Sequence, residues 1–184
     1  MSLLDVQNFL ARLYTDESLR REFSSAPEKI GKVNNLNEKE IAELTEILPV
    51  ELNLFADSLR WKRLREVEKL LPLTKQVLAE EFEIYFHEFT NQFLPATVKK
   101  HLTDAIRFAE FLQGKEKNWK KDLAKYERAK LKFNNCDKNF IFKVFDYDIK
   151  EIFRKGVRAQ KEFKQKKTFA VWLRIGKFAR RFIW

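Results

Sequence analysis

From Leu3 to Leu131 the apolar residues recur at spacings of three and four, and over Phe140, Phe142 and Val144 they recur at two. A period near 3.6 buries one stripe of a helix, and a period of two buries one face of a strand. The chain is therefore read as helical over most of its length and mixed at its end. Leu3, Val6, Leu10 and Leu13 share one face, opened by a capping-box pattern at Ser2 and Asp5. Thr15 or Asp16 caps a second helix through Leu19 and Phe23 that ends near Ala26-Pro27. Asn37, with Glu40 three residues on, caps a third with Ile41, Leu44 and Leu48 inward. Pro49 suits a first helical turn, and Leu52, Ala56, Leu64, Val67 and Leu71 follow in one long helix that Pro72 ends or interrupts. A fifth helix carries Val77, Phe82, Phe86 and Phe89, and Pro95 breaks the chain again. A sixth runs through Leu102, Ile106 and Leu112 to Gly114 as C-cap, and a seventh from Asn118 through Tyr126 and Leu131 to Asn134-Asn135.

Beyond Asn135, Phe140, Phe142 and Val144 alternate with Ile141, Lys143 and Phe145, which predicts a strand. Asp148 caps a short helix over Ile149–Lys155, with Gly156 as stop, and 157–167 read as a polar connector. The end of the chain admits two readings. As strands, 168–174 and 178–184 flank a turn at Gly176-Lys177. As a helix, Arg174, Lys177 and Arg181 form a basic stripe. β-Branched and aromatic residues favour the strands. The expected fold is mainly α, with a multi-helix domain over 1–134 and a small basic α+β appendage over 135–184.

Charge is segregated along the same division. The chain has 37 Lys and Arg against 27 Asp and Glu, a net +10. Eleven of those cations and one acid, Glu162, lie in 152–184, leaving 26 of each sign in 1–151. A neutral body with a basic, aromatic end is read first as a contact surface for phosphate, anionic lipid or an acidic protein face. The contact residues expected are Lys164, Lys166, Lys167, Arg174, Lys177, Arg180 and Arg181, with Trp172 and Trp184 as anchors. The competing reading places the aromatics in a small core with the cations as its outer cover. If 169–184 were a basic amphipathic helix it would suit an anionic membrane surface. If its rings are exposed, Trp172 or Phe182 would stack nucleic-acid bases while cations neutralise phosphates.

Signals for chemistry are sparse. Glu83 and His87 share a helix face, but position 84 is Ile, so the Glu-x-x-His pattern of di-iron bundles is missing. Two His and one Cys supply too few of the usual ligands for a transition-metal site. Cys136 has neither a base nor an oxyanion hole proposed beside it, and reads as a lone thiol. Asp146 and Asp148 are explained by turn and cap roles. Arg60, Lys62, Arg63 and Arg65 crowd one helix, either as a solvated face among acids, as a lock between helices, or as a nucleic-acid face. The expectation is no catalytic residue, no metal and no cofactor. Short, charge-broken apolar runs exclude a transmembrane helix, Asp5 and the absence of a basic n-region argue against a secretion signal, and a lone Cys136 suits a reducing cytosol.

One set of motifs points further. Leu10–Phe23 reads LARLYTDESLRREF, followed by Ala26-Pro27 and by Leu36–Glu40, LNEKE. Then come Leu54–Leu59, LFADSL, Lys62-Arg63, Glu66–Thr74, EVEKLLPLT, Lys100–Leu102, and Asp104–Ala109, DAIRFA. Over about residues 3–112 the set resembles small, mainly helical bacterial accessory proteins associated with multinuclear non-heme iron enzymes that modify ribosomally made peptides. The accessory subunit of methanobactin biosynthesis is a more distant analogue. Asp122–Glu127, DLAKYE, resembles a helix of the same partners. The resemblance implies that iron and oxidative chemistry belong to a partner enzyme. It also implies that the small protein binds or presents the precursor peptide, which could add along a sheet edge. The leading expectation is a non-catalytic accessory protein with a protein or peptide partner, and the alternatives are nucleic acid and an anionic membrane surface.

Overall fold

A computed structural model describes residues 3–47, 49–93, 100–135, 139–155 and 163–184. Among these the fold is mainly α, with ten helices and a three-stranded antiparallel sheet at the C-terminal end. The helices are α1 Leu3–Thr15, α2 Glu17–Ser25, α3 Pro27–Val33, α4 Glu38–Thr45, α5 Pro49–Leu70, α6 Pro72–Leu78, α7 Glu80–Thr90, α8 Lys100–Lys115, α9 Asn118–Asn135 and α10 Ile149–Lys155. The strands are β1 Phe140–Tyr147, β2 Gln165–Ile175 and β3 Phe178–Ile183, in the order β1-β2-β3.

The chain forms two compact units, Met1–Arg63 with Thr90–Leu94, and Leu64–Phe89 with Pro95–Trp184. The division falls inside α5, and the boundary read at 134/135 lies within the second unit. Its location follows from α9, which packs against both α8 and β1.

In the first unit, Phe9, Leu13, Leu19, Phe23, Leu36, Ile41 and Leu44 form one buried cluster. Phe9 and Phe23 meet edge to face at 5.3 Å. Asp16 caps α2 through the Leu19 N–H (3.0 Å). The Asn37–Glu40 capping box is complete in both directions. The sequence reading placed no helix between Pro27 and Asn37, yet α3 is there, with Pro27 in its first turn. Its end is a Schellman motif: Leu36 N–H donates to Gly31 O, Asn35 N–H donates to Lys32 O, and Asn35 takes the left-handed conformation at φ 61°. Buried Arg20 closes the end of α1, donating from Nη1 to Leu13 O (2.8 Å) and from Nε to Asn53 Oδ1 (3.0 Å).

In the second unit, Phe82, Phe86, Phe89, Phe108 and Phe111 interlock α7 with α8. The single helix expected over Val77–Phe89 is broken at Ala79, whose φ of 50° ends α6. Gly114 lies inside α8, not beyond its end. Two buried carboxylates on α9 organise its neighbours. Glu127 accepts from the Leu73 and Thr74 N–H groups (3.1 and 2.8 Å), capping α6, whose own N-cap residue, Leu71, offers no side-chain acceptor. Asp122 accepts from the Asp146 and Tyr147 N–H groups (2.6 and 3.0 Å), tying the end of β1 to α9. Burial pushes both carboxyls above their ordinary range against the pull of these N–H donors. Ser2, Leu48, Pro95, Cys136, Gly156 and most of the 157–167 connector, to which roles were given above, lie outside the described residues.

Candidate functional site on the C-terminal sheet

Residues 168–184 form a hairpin, so the helical form on which the amphipathic membrane reading depended is not adopted. Its two-residue turn is Gly176-Lys177, with Gly176 at φ 57°, a position where a side chain would be strained. Trp172 faces Ile141 across one ladder and Arg181 across the other, and Ala170 faces Lys143 and Ile183. Alternation then assigns the rest of each strand to one of two faces.

The inner face packs on α9 and α10. Ile141, Phe145, Tyr147, Ala170 and Trp172 join Leu123, Tyr126, Ala129, Phe133, Ile149 and Ile152 in one cluster. Tyr126 sits at its centre, with ring centroids 4.5 Å from Phe153 and 5.4 Å from Trp172. Trp172, expected as an exposed anchor, is only 2% exposed, because its register puts it on this face. Two expected contact cations also point inward. Arg174 donates to Phe133 O (2.8 Å) and lies over the Phe133 ring, and Arg181 bonds the Tyr126 hydroxyl.

The outer face is different. Phe140, Phe142 and Val144 of β1, Phe169, Val171, Leu173 and Ile175 of β2, and Phe178, Arg180, Phe182 and the following Trp184 lie on it. The rings of Phe140, Phe142, Phe178, Phe182 and Trp184 are 46–74% exposed. Phe142 and Phe169 stack at 6.1 Å and 14°. These exposed rings make one contiguous apolar area on the outer face. Among the expected contact residues, Arg180 and Trp184 belong here, Lys177 is in the turn, and Lys164, Lys166 and Lys167 are exposed at the start of β2. Lys166 is paired with Asp148 (2.9 Å), which also caps α10; the Lys166 ammonium holds the Asp148 carboxyl below its usual range.

A second feature adjoins the outer edge of β1. Arg174 N–H donates to Asn139 O, which sets the phase of the β1–β2 ladder. Residues 139, 141, 143 and 145 therefore turn their main-chain groups toward β2, and Phe140, Phe142 and Val144 turn theirs to the free edge. Val144 O accepts from Lys125 Nζ (2.6 Å), and the Asp146 N–H goes to Asp122. Among the described residues the edge is thus closed at one end and open along Phe140 and Phe142. Beside it lies a cleft of about 280 Å³ lined by Gln113 of α8, by Lys125, Arg128, Ala129 and Lys132 of α9, and by Phe140–Lys143 of β1. Among the described residues four cations line it and no acid does. Arg128 is held from outside by Glu110, whose carboxyl it helps to keep below the usual range.

These cleft cations lie in the part of the sequence with no net charge, where reading by segment overlooked them. The available signal was Lys125, Arg128 and Lys132 at helical spacing, with Lys143 on the next strand. Of the Arg60–Arg65 cluster, Arg60 pairs with Asp57 and Arg63 donates to Phe93 O (3.1 Å), while Lys62 and Arg65 are exposed. Among the described residues, no three His, Cys, Asp or Glu side chains converge as metal ligands, and no helix is long and apolar enough to cross a membrane. No family model matches the chain, and no curated protein matches it in sequence.

Proposed function

We propose that this chain is a non-catalytic accessory protein that binds an acidic polypeptide segment along β1 and so presents a peptide to, or docks on, a partner enzyme. The observation that carries the reading is the open edge at Phe140 and Phe142 running beside the four-cation cleft. An extended segment that adds to such an edge gains main-chain hydrogen bonds, and its alternate side chains enter the flanking pocket. Carboxylates placed there would meet Lys125, Arg128, Lys132 and Lys143. The resemblance of residues 3–112 to accessory proteins of peptide-modifying enzymes favours the same kind of partner. The reading requires no metal, cofactor or catalytic residue in this chain.

The test is fluorescence anisotropy with a labelled strand-forming peptide that alternates Glu and Val, and with its Lys-for-Glu counterpart. The acidic peptide is expected to bind and the basic one not. Lys132→Glu with Lys143→Glu should weaken binding by about tenfold or more, since like charges then face each other. Phe142→Pro removes an N–H that faces the open edge and leaves the β1–β2 ladder intact, so it should also weaken binding. Affinity unchanged by both variants would overturn the reading.

A further inference from the structure

We propose that the outer face of the sheet is a second binding surface, a stacking platform for single-stranded nucleic acid. The observation is independent of the peptide reading, because the residues that carry it lie on β3, at the opposite edge from β1. Phe178, Arg180, Phe182 and Trp184 alternate along β3 and its end, all on the outer face and all exposed. Side chains two apart on a strand are about 6.8 Å apart, so the row offers ring, guanidinium, ring and ring at regular intervals to an extended chain. Phe142, across the sheet from Phe182 beyond Val171, widens the platform, and the stacked Phe142–Phe169 pair continues it.

Charge selects the occupant. A second copy of this chain would bring the exposed cations on and beside this face, Lys167, Lys177 and Arg180, against themselves. A polyanion meets that surface favourably. Lys164, Lys167 and Lys177 are exposed on the same hairpin or at its start, and Arg180 stands among the rings. Exposed rings supply stacking that any base satisfies, and cations track the phosphates, which is the combination used for single strands with little sequence preference. A duplex keeps its bases stacked inside and offers these rings nothing.

The experiment is fluorescence anisotropy with labelled single strands of about 12 nucleotides, DNA and RNA, against a duplex of the same sequence, at several salt concentrations. The single strand is expected to bind more tightly than the duplex, with an affinity that falls as salt rises, at a log–log slope of about −0.7 per phosphate contacted. Phe182→Ala and Trp184→Ala should each weaken single-strand binding by about fivefold to a hundredfold, Phe182→Tyr should retain it, and Arg180→Glu should weaken it and flatten the salt dependence. Each of these side chains is exposed, so the melting temperature should stay close to that of the parent. Equal affinity for duplex and single strand would overturn the proposal. So would wild-type binding by the Ala variants, self-association lost on Trp184→Ala, or co-sedimentation with anionic vesicles in place of oligonucleotide binding. Loss of peptide binding in Lys132→Glu/Lys143→Glu with oligonucleotide binding kept would separate this surface from the cleft.

Discussion

Two positions illustrate how much a single residue can hold. An ideal Cβ on Gly31 would lie 2.5 Å from Ile41 Cγ1 and 2.6 Å from its Cδ1. The β-branched Ile41 has little freedom to withdraw, so Gly31→Ala should cost about 1–3 kcal/mol in a denaturant titration; parent-like stability would show that α3 and α4 are less tightly apposed. Glu127 is the second case. Burial raises its folded-state pKa above the ordinary 4.5. The folded chain therefore holds that proton more tightly, and the associated stability is full below the ordinary value and is lost as pH rises through the folded one. Glu127→Gln removes this titration. The stability of wild type relative to Glu127→Gln should fall as pH rises from about 4.5 toward neutral; a flat difference would contradict the assignment. Residue identity also explains what could not be read for Trp172. Both faces of β2 carry apolar side chains, Ala170 and Trp172 on one and Phe169, Val171 and Leu173 on the other. Alternation of polarity normally sets the phase of a strand; here it was missing, and Trp172 and Trp184 looked equivalent although one is core and the other exposed.

Elements were legible where their ends carry chemistry. Asp16, the Asn37–Glu40 box and Asp148 each cap the helix that their spacing indicated, and the Gly176-Lys177 turn closes the hairpin. The break between α6 and α7 was not legible, because Ala79 is the best of helix formers and nothing around it signals a stop. Its conformation, φ 50° and ψ −114°, is one that glycine adopts without penalty. Ala79→Gly should therefore stabilise the chain by about 1 kcal/mol, read as a rise in denaturation midpoint; a loss of stability would show that the break is not strained. Helix α9 was recognised as a helix, but its role was not. Asp122 and Lys125 reach β1, Glu127 reaches α6 and Tyr126 reaches β2, and such long-range pairings leave no mark in local spacing.

At the scale of the molecule, charge summed along the sequence singles out 152–184, and the fold then distributes that charge. The 152–184 segment does carry an exposed surface, yet its cations divide between the inner face, an ion pair and solvent, and the exposed aromatics define the outer face more than the charges do. The cleft draws on Lys125, Arg128, Lys132 and Lys143, which acids elsewhere in 1–151 cancel in any sum over sequence. The cations of the cleft are grouped by the fold and not by the chain. The central claim is that an acidic segment adds as a fourth strand at β1. It is tested most directly by amide hydrogen exchange, followed residue by residue, with and without the Glu/Val peptide. The account expects the peptide to slow exchange at Phe140 and Phe142, whose N–H groups face the open edge, and to leave Ile141 and Lys143, already paired to β2, little changed. Peptide binding that leaves Phe140 and Phe142 as fast as in the unbound chain would contradict it.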